Sequence, residues 1–211
     1  MTNEQWEKLL AVVVRGERLD KPFCGFIADS PWLPGWSGKA SILDYFASEQ
    51  VWLETNLAAV RTFPEAVFLP GFWSEYGMCT EPSAFGAQLI WHENELPFAA
   101  ALSGAGTGER ALKLSKPDVT SAGLLPFTLQ RLVRARPAIE AEGHTIRFAV
   151  ARGPLNIASF LMGTTELLIA MQLDPDGTQE MLEVITAFLA EWIKLQAATI
   201  PSIRGVLLLD D

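Results

Sequence analysis

Apolar and polar positions change period several times along this chain, and each change predicts an element. Residues 2–5, Thr-Asn-Glu-Gln, have the form of a capping box. Trp6, Leu9, Leu10 and Val13 then recur on one face of a helix that ends near Gly16. Pro22 to Ala28 is a short apolar run and reads as a first strand. From Ser41 to Phe63 apolar residues return at helical intervals, with a break near Ser48 and a stop at Pro64. Ala66 to Leu69, Thr145 to Val150 and Gly205 to Leu209 read as a second, third and fourth strand. Between the second and third lie an outlying hairpin beginning at Ala87 to Trp91, a poorly patterned stretch from Ala101 to Ser121, and a helix from Leu124 to Glu140 interrupted at Pro137. After the third strand come a helix from Ile157 to Leu173, weakened at Gly163, and a second helix. The latter opens at Asp174-Pro175, runs to about Thr199 and buries Met181, Ile185, Phe188, Leu189 and Trp192.

The four main strands are short and apolar on both faces, and each crossover is long enough to return the next strand parallel. That is the pattern of an α/β sheet covered by helices, either a (β/α)8 TIM barrel or an open doubly wound sheet. The fourth strand runs into Asp210-Asp211 with no covering helix after it. The expectation is therefore that residues 1–211 form the N-terminal part of a single barrel domain, about the first four strands of eight, with 87–123 an excursion from it. Open strand edges in such a half-barrel predict self-association.

Composition narrows the partners. The 211 residues are 49% hydrophobic, enough for one packed core, and carry a net charge of -9. Lysines and arginines are scattered with no basic stripe, which argues against nucleic acid or an anionic membrane. No apolar run approaches the ~20 residues of a membrane span, and the polar N-terminus does not resemble a signal peptide. Two distant cysteines, Cys24 and Cys79, make no disulfide framework, so reduced thiols in a cytoplasm are expected. The glycines at 104, 106 and 108 lack the preceding strand and following helix of a phosphate loop and read as a flexible excursion.

Chemistry-bearing residues gather directly after the strands, where α/β proteins place their sites. The first strand runs into Asp29, then Trp32 and Trp36 among stiffening prolines. The second breaks at Pro70-Gly71 and is followed by Phe72, Trp73, Glu75, Tyr76, Cys79 and Glu81. The third leads to Arg152, a Gly153-Pro154 break and Asn156; the fourth ends at Asp210. Asp210 and Asp29 are candidate catalytic acids by position, and Glu75 and Tyr76 candidate general acids or substrate-orienting groups. Trp32, Trp36 and Trp73 can form a wall against a flat ring. Arg152 can grip a carboxylate or phosphate, or bridge to Asp210 or Asp29. His92 reads as a solvated loop residue and Cys24 as core; Cys79 and His92, two ligands with no third, make no metal site.

Several segments resemble the uroporphyrinogen decarboxylase family over essentially the whole chain. They are Arg15-Gly16-Glu17 with Asp20-Lys21-Pro22, the run Glu81-Pro82-Ser83-Ala84-Phe85-Gly86, the run from Gly153 to Gly163, and Leu207-Leu208-Leu209-Asp210. The resemblance implies a TIM barrel of roughly 300 residues or more. It also implies one of two chemistries: cofactor-free decarboxylation of a tetrapyrrole's acetate groups in porphyrin biosynthesis, or methyl transfer from a corrinoid to a zinc-activated thiol. The decarboxylases carry an arginine-rich loop after the first strand, an aspartate after the second and a tyrosine in the third-strand motif. Here Asp29 to Trp36 contains no arginine, Pro70-Gly71-Phe72-Trp73 stands in the second place, and Phe160 in the third. Eight substrate carboxylates would also face a mouth rich in Asp and Glu. The resemblance thus points to a corrinoid-dependent methyltransferase-like protein, with a true decarboxylase as one alternative and a non-catalytic half-barrel binding module or inactive fragment as another. In the methyltransferases the zinc ligands lie beyond the fourth strand, so no metal or cofactor is assigned to these residues; zinc and a corrinoid-protein partner are expectations for a longer protein.

Overall fold

A computed structural model describes residues 1–21, 24–28, 30–102 and 111–210. The elements in chain order are α1 (Asn3–Val13), β1 (Gly25–Ile27), α2 (Trp32–Ser37), α3 (Ile42–Ala47), α4 (Glu49–Thr62), β2 (Val67–Leu69), α5 (Thr80–Ala84), β3 (Leu89–Ile90), β4 (Phe98–Ala99), α6 (Leu125–Ala141), β5 (Phe148–Arg152), α7 (Pro154–Met162), α8 (Thr164–Leu173), α9 (Pro175–Thr199) and β6 (Gly205–Leu209). The capping box at Thr2 is formed, with the Thr2 side chain accepting from Gln5 N–H and the Gln5 side chain from Thr2 N–H.

The fold is α/β. β1 pairs with β2 and β5 with β6, both in parallel, while β3 and β4 form an antiparallel hairpin. The four main strands were expected to lie side by side in one sheet. Among the described residues no ladder joins β2 to β5, and the structure contains no closed barrel. The reason lies on the edge of β5. The N–H and C=O of Val150 are both held by the side-chain amide of Gln196 on α9, and the N–H of Arg152 by Glu81. Three main-chain groups that a neighbouring strand would use are thereby satisfied by side chains. Met1 fills the space nearby: it exchanges both main-chain hydrogen bonds with Thr145 and lies against Gly71, just past β2.

Helices cover one face of each strand pair. Ala151 on β5 is buried in the core of α7, α8 and α9, while Ala149 joins Phe46, Trp52, Ile139 and Ile146 in a second core against α3, α4 and α6. That covered face does not extend across β6. Val206 and Leu208, register partners of Ala149 and Ala151, are each 50% exposed. On the opposite edge Phe26 and Ile27 of β1 are exposed as well.

Three expectations about elements are corrected. The proline-stiffened segment after β1 is a helix, α2, because Pro31 and Pro34 fall at its start, where a missing N–H costs nothing. Pro137 does not interrupt α6: it lies on the exposed side of the helix, as does Val133 one turn before it, so the missing N–H donor falls away from the core. The single helix expected from Ile157 to Leu173 is two, α7 and α8, turning by 104° at Gly163, whose φ of +96° only glycine adopts readily. No single described helix is long and apolar enough to cross a membrane. The hairpin after Ala87 is present, and Ala87 and Val119 are buried in the α7–α9 core. The glycines between 104 and 108 lie outside the described residues, as do Pro22, Phe23 and Asp29.

Candidate functional site

The C-terminal ends of β1, β2 and β5 converge on one carboxylate. Glu75, 8% exposed, lies in the loop after β2, released from the strand by Gly71 at φ +93°. Its Oε1 accepts from the Ser30 hydroxyl after β1 at 2.7 Å, and its Oε2 accepts from Nη2 of Arg152 at 2.9 Å. Arg152 is the last residue of β5, and its side chain is 15% exposed. On β5, Phe148, Val150 and Arg152 share a face by the two-residue period of a strand, opposite the helix-covered alanines. The strand thus delivers the guanidinium to the face opposite the alanines, on which Phe148 packs edge-on against Trp6 of α1.

Glu81, on α5, stands behind this pair. It is buried, its Oε1 accepts the Arg152 N–H at 3.2 Å, and burial raises its carboxyl above the usual range against the opposing pull of Arg152. A cavity of about 10 Å³ lies between Trp73, Ser74, Glu75, Glu81, Thr128, Arg152 and Trp192, room for about one water. Among the described residues the buried Ser74 Oγ and Trp192 Nε1 have no hydrogen-bond partner.

At the end of β6, Asp210 Oδ1 accepts the backbone N–H of Asn156 at 2.9 Å, and the Asn156 side chain donates to the Leu209 carbonyl at 2.9 Å. Asn156 is the third residue of α7, whose preceding Gly153 offers no side-chain cap. Asp210 supplies that cap from another strand, and its charge suits the positive end of the helix.

The other predicted residues fall elsewhere. The Tyr76 hydroxyl accepts from Arg131, whose guanidinium lies 4.6 Å from the Tyr76 ring centroid and 5.8 Å from that of Trp52. Burial raises the Tyr76 pKa, so this phenol stays protonated as part of an arginine cage. Trp32 and Trp36 stack on each other with centroids 5.5 Å apart and pack on Phe63 at the end of α4, so they form no common wall with Trp73. Trp32 instead borders an apolar pocket with Phe26, Ile27, Phe63 and Phe68. Cys79 is fully buried and burial pushes its thiol up to about 12, so it carries no thiolate at neutral pH. Cys24, expected in the core, is exposed because it precedes the open edge strand β1. His92 stacks on Phe98.

Among the described residues no three His, Cys, Asp or Glu side chains gather as metal ligands. With Cys79 a neutral thiol, these residues do not fit a zinc ion. Sequence reasoning gave no role to Ser30, Glu81 or Arg131. The first two follow strands, a position that would have nominated them. Nothing in the pattern distinguishes Arg131 from other helix arginines.

The structure therefore defines an α/β protein whose parallel strands end on a buried, charged cluster. Its sequence matches the family described as Uroporphyrinogen decarboxylase (URO-D) over residues 35–200, and the chain belongs to that family. Comparison with curated proteins and with solved structures returns no match.

Proposed function

We propose that this chain supplies the first four strands of a TIM barrel of the uroporphyrinogen decarboxylase family, whose site takes a corrinoid-linked substrate in methyl transfer rather than decarboxylating uroporphyrinogen. One observation carries the reading. The charged groups described at the strand ends are Glu75, Glu81 and Asp210 against Arg152, and Arg152 is already ion-paired. A polycarboxylate entering here would meet a cation already neutralised by Glu75, with further carboxylates beside it, and like charges repel strongly where water is partly excluded. The periphery of a corrinoid carries mainly amides, which hydrogen-bond to such a surface without bringing in further carboxylates.

The uncovered apolar positions at both edges, Phe26 and Ile27 on one and Val206 and Leu208 on the other, support the barrel reading, because barrel closure and its outer helices bury such positions. A zinc-activated thiol would need ligands from outside the described residues, so no step is assigned to zinc here. The chain's own contribution is binding and orientation: Arg152, held by Glu75, and the strand-end loops present donors and acceptors to the macrocycle.

Incubation of the purified chain with uroporphyrinogen, followed by chromatography, tests the reading. All carboxyls should remain. A product with fewer carboxyls would overturn it in favour of the decarboxylase.

A further inference from the structure

The ion pair between Glu75 and Arg152 joins two strands that share no ladder, and it is more than a clamp. Arg152 is the cation described beside Glu75 at the C-terminal strand ends, and it keeps 15% of its side chain open. A guanidinium there is the natural anchor for a carboxylate, because its donors match two carboxylate oxygens. Glu75 occupies that role from within the protein. Its geometry is fixed by Ser30 on the other oxygen and by burial to 8%. It cannot swing away without stranding a buried charge.

We propose that Glu75 is a specificity-determining residue: by neutralising Arg152 it turns the strand-end cation away from carboxylate-bearing macrocycles and leaves it a donor to neutral amide carbonyls. This deepens the corrinoid reading and rests on it for the natural ligand. The masking of Arg152 is a separate claim about the chain itself. A carboxylate ligand must either displace Glu75, exposing a buried carboxylate, or bind beside it against its charge. An amide carbonyl needs neither. Replacing Glu75 with glutamine keeps the side chain's shape and a hydrogen-bonding oxygen but removes the charge, which unmasks the guanidinium.

The test is calorimetric titration of the full chain with uroporphyrin, an octacarboxylate, and with hydroxocobalamin, an amide-bearing corrinoid. Glu75→Gln should tighten uroporphyrin binding by at least about tenfold, the effect of one unit of charge near a partly buried site. Hydroxocobalamin, which brings no such carboxylates, should gain much less than uroporphyrin from the same substitution. The double variant E75Q/R152Q should lose the gain, which separates an unmasked Arg152 from a general loosening of the loop. Circular dichroism of each variant checks that it remains folded, and Glu75→Asp, which keeps the charge, should retain the wild-type preference. If the wild-type chain binds neither ligand yet E75Q gains uroporphyrin, the masking stands and the corrinoid reading fails. If the wild-type chain binds hydroxocobalamin but E75Q gains nothing, the corrinoid reading stands and Glu75 is only a structural bridge. If neither protein binds either ligand, both claims fall.

Discussion

Asp210 Oδ1 accepts the backbone N–H of Asn156 at 2.9 Å, so the acid at the tip of the last strand caps the helix that follows the previous one. A position read from sequence as catalytic is thereby given a structural partner. Asp210→Ala should lower unfolding free energy by ~0.5–2 kcal/mol, the usual worth of an N-cap. Asp210→Asn, which keeps an acceptor oxygen, should recover most of it. Urea denaturation measures both.

Gly153→Ala should cost as much or more by the same route. A Cβ there would stand 2.2 Å from the Asp210 side chain, far inside contact distance, and would push the cap away. A Gly153→Ala protein as stable as wild type would show that Asp210 does not cap α7 in solution.

Gln196 is buried and bonds both main-chain groups of Val150. Gln196→Leu keeps the volume and removes both bonds, leaving an N–H and a C=O buried without partners. The expected loss is ~1–3 kcal/mol for each stranded group that water cannot reach. In hydrogen exchange the Val150 amide should lose protection more than the amides that bond β6.

His144 sets a pH dependence. Burial, reinforced by the charge of the Met1 amine, lowers its pKa from the usual 6.5 to about 4, and its buried Nδ1 has no hydrogen-bond partner among the described residues. The imidazole is neutral in the fold, whereas the unfolded chain protonates it below 6.5. The contribution of this group to stability should thus be complete above pH 6.5 and be lost as pH drops toward about 4. His144→Gln should flatten that part of the curve; an equally steep curve in the variant would assign it elsewhere.

The apolar edges predict association. Phe26 and Ile27 on β1 and Val206 and Leu208 on β6 are exposed beside strand edges that carry no further ladder among the described residues. Sedimentation should show concentration-dependent oligomers, and V206K/L208K should shift the chain toward monomer. A monodisperse wild-type monomer at all concentrations would refute this.

Much of this was legible in the sequence, and the failures have physical causes. Period and capping residues located α1, α4, α9 and β6 well, because one face of each is decided by burial or by a local cap. The grammar of strand followed by polar loop brought Glu75, Arg152, Asn156 and Asp210 to one end. Sequence could not give the partners. That Asp210 caps a helix, that Gln196 occupies the edge of β5 and that Tyr76 encloses Arg131 are long-range pairings, set by which chain segments happen to meet. Trp32 and Trp36 were misplaced for a similar reason. The prolines that suggested a stiff loop instead start a helix, and that helix turns both rings onto Phe63.

We propose that this strand-end site prefers an amide-bearing corrinoid to a polycarboxylate tetrapyrrole. Equilibrium dialysis of the wild-type chain against equal concentrations of hydroxocobalamin and uroporphyrin tests it most directly. Hydroxocobalamin should be retained at least about tenfold more tightly. Equal retention, or preferential retention of uroporphyrin, would contradict it.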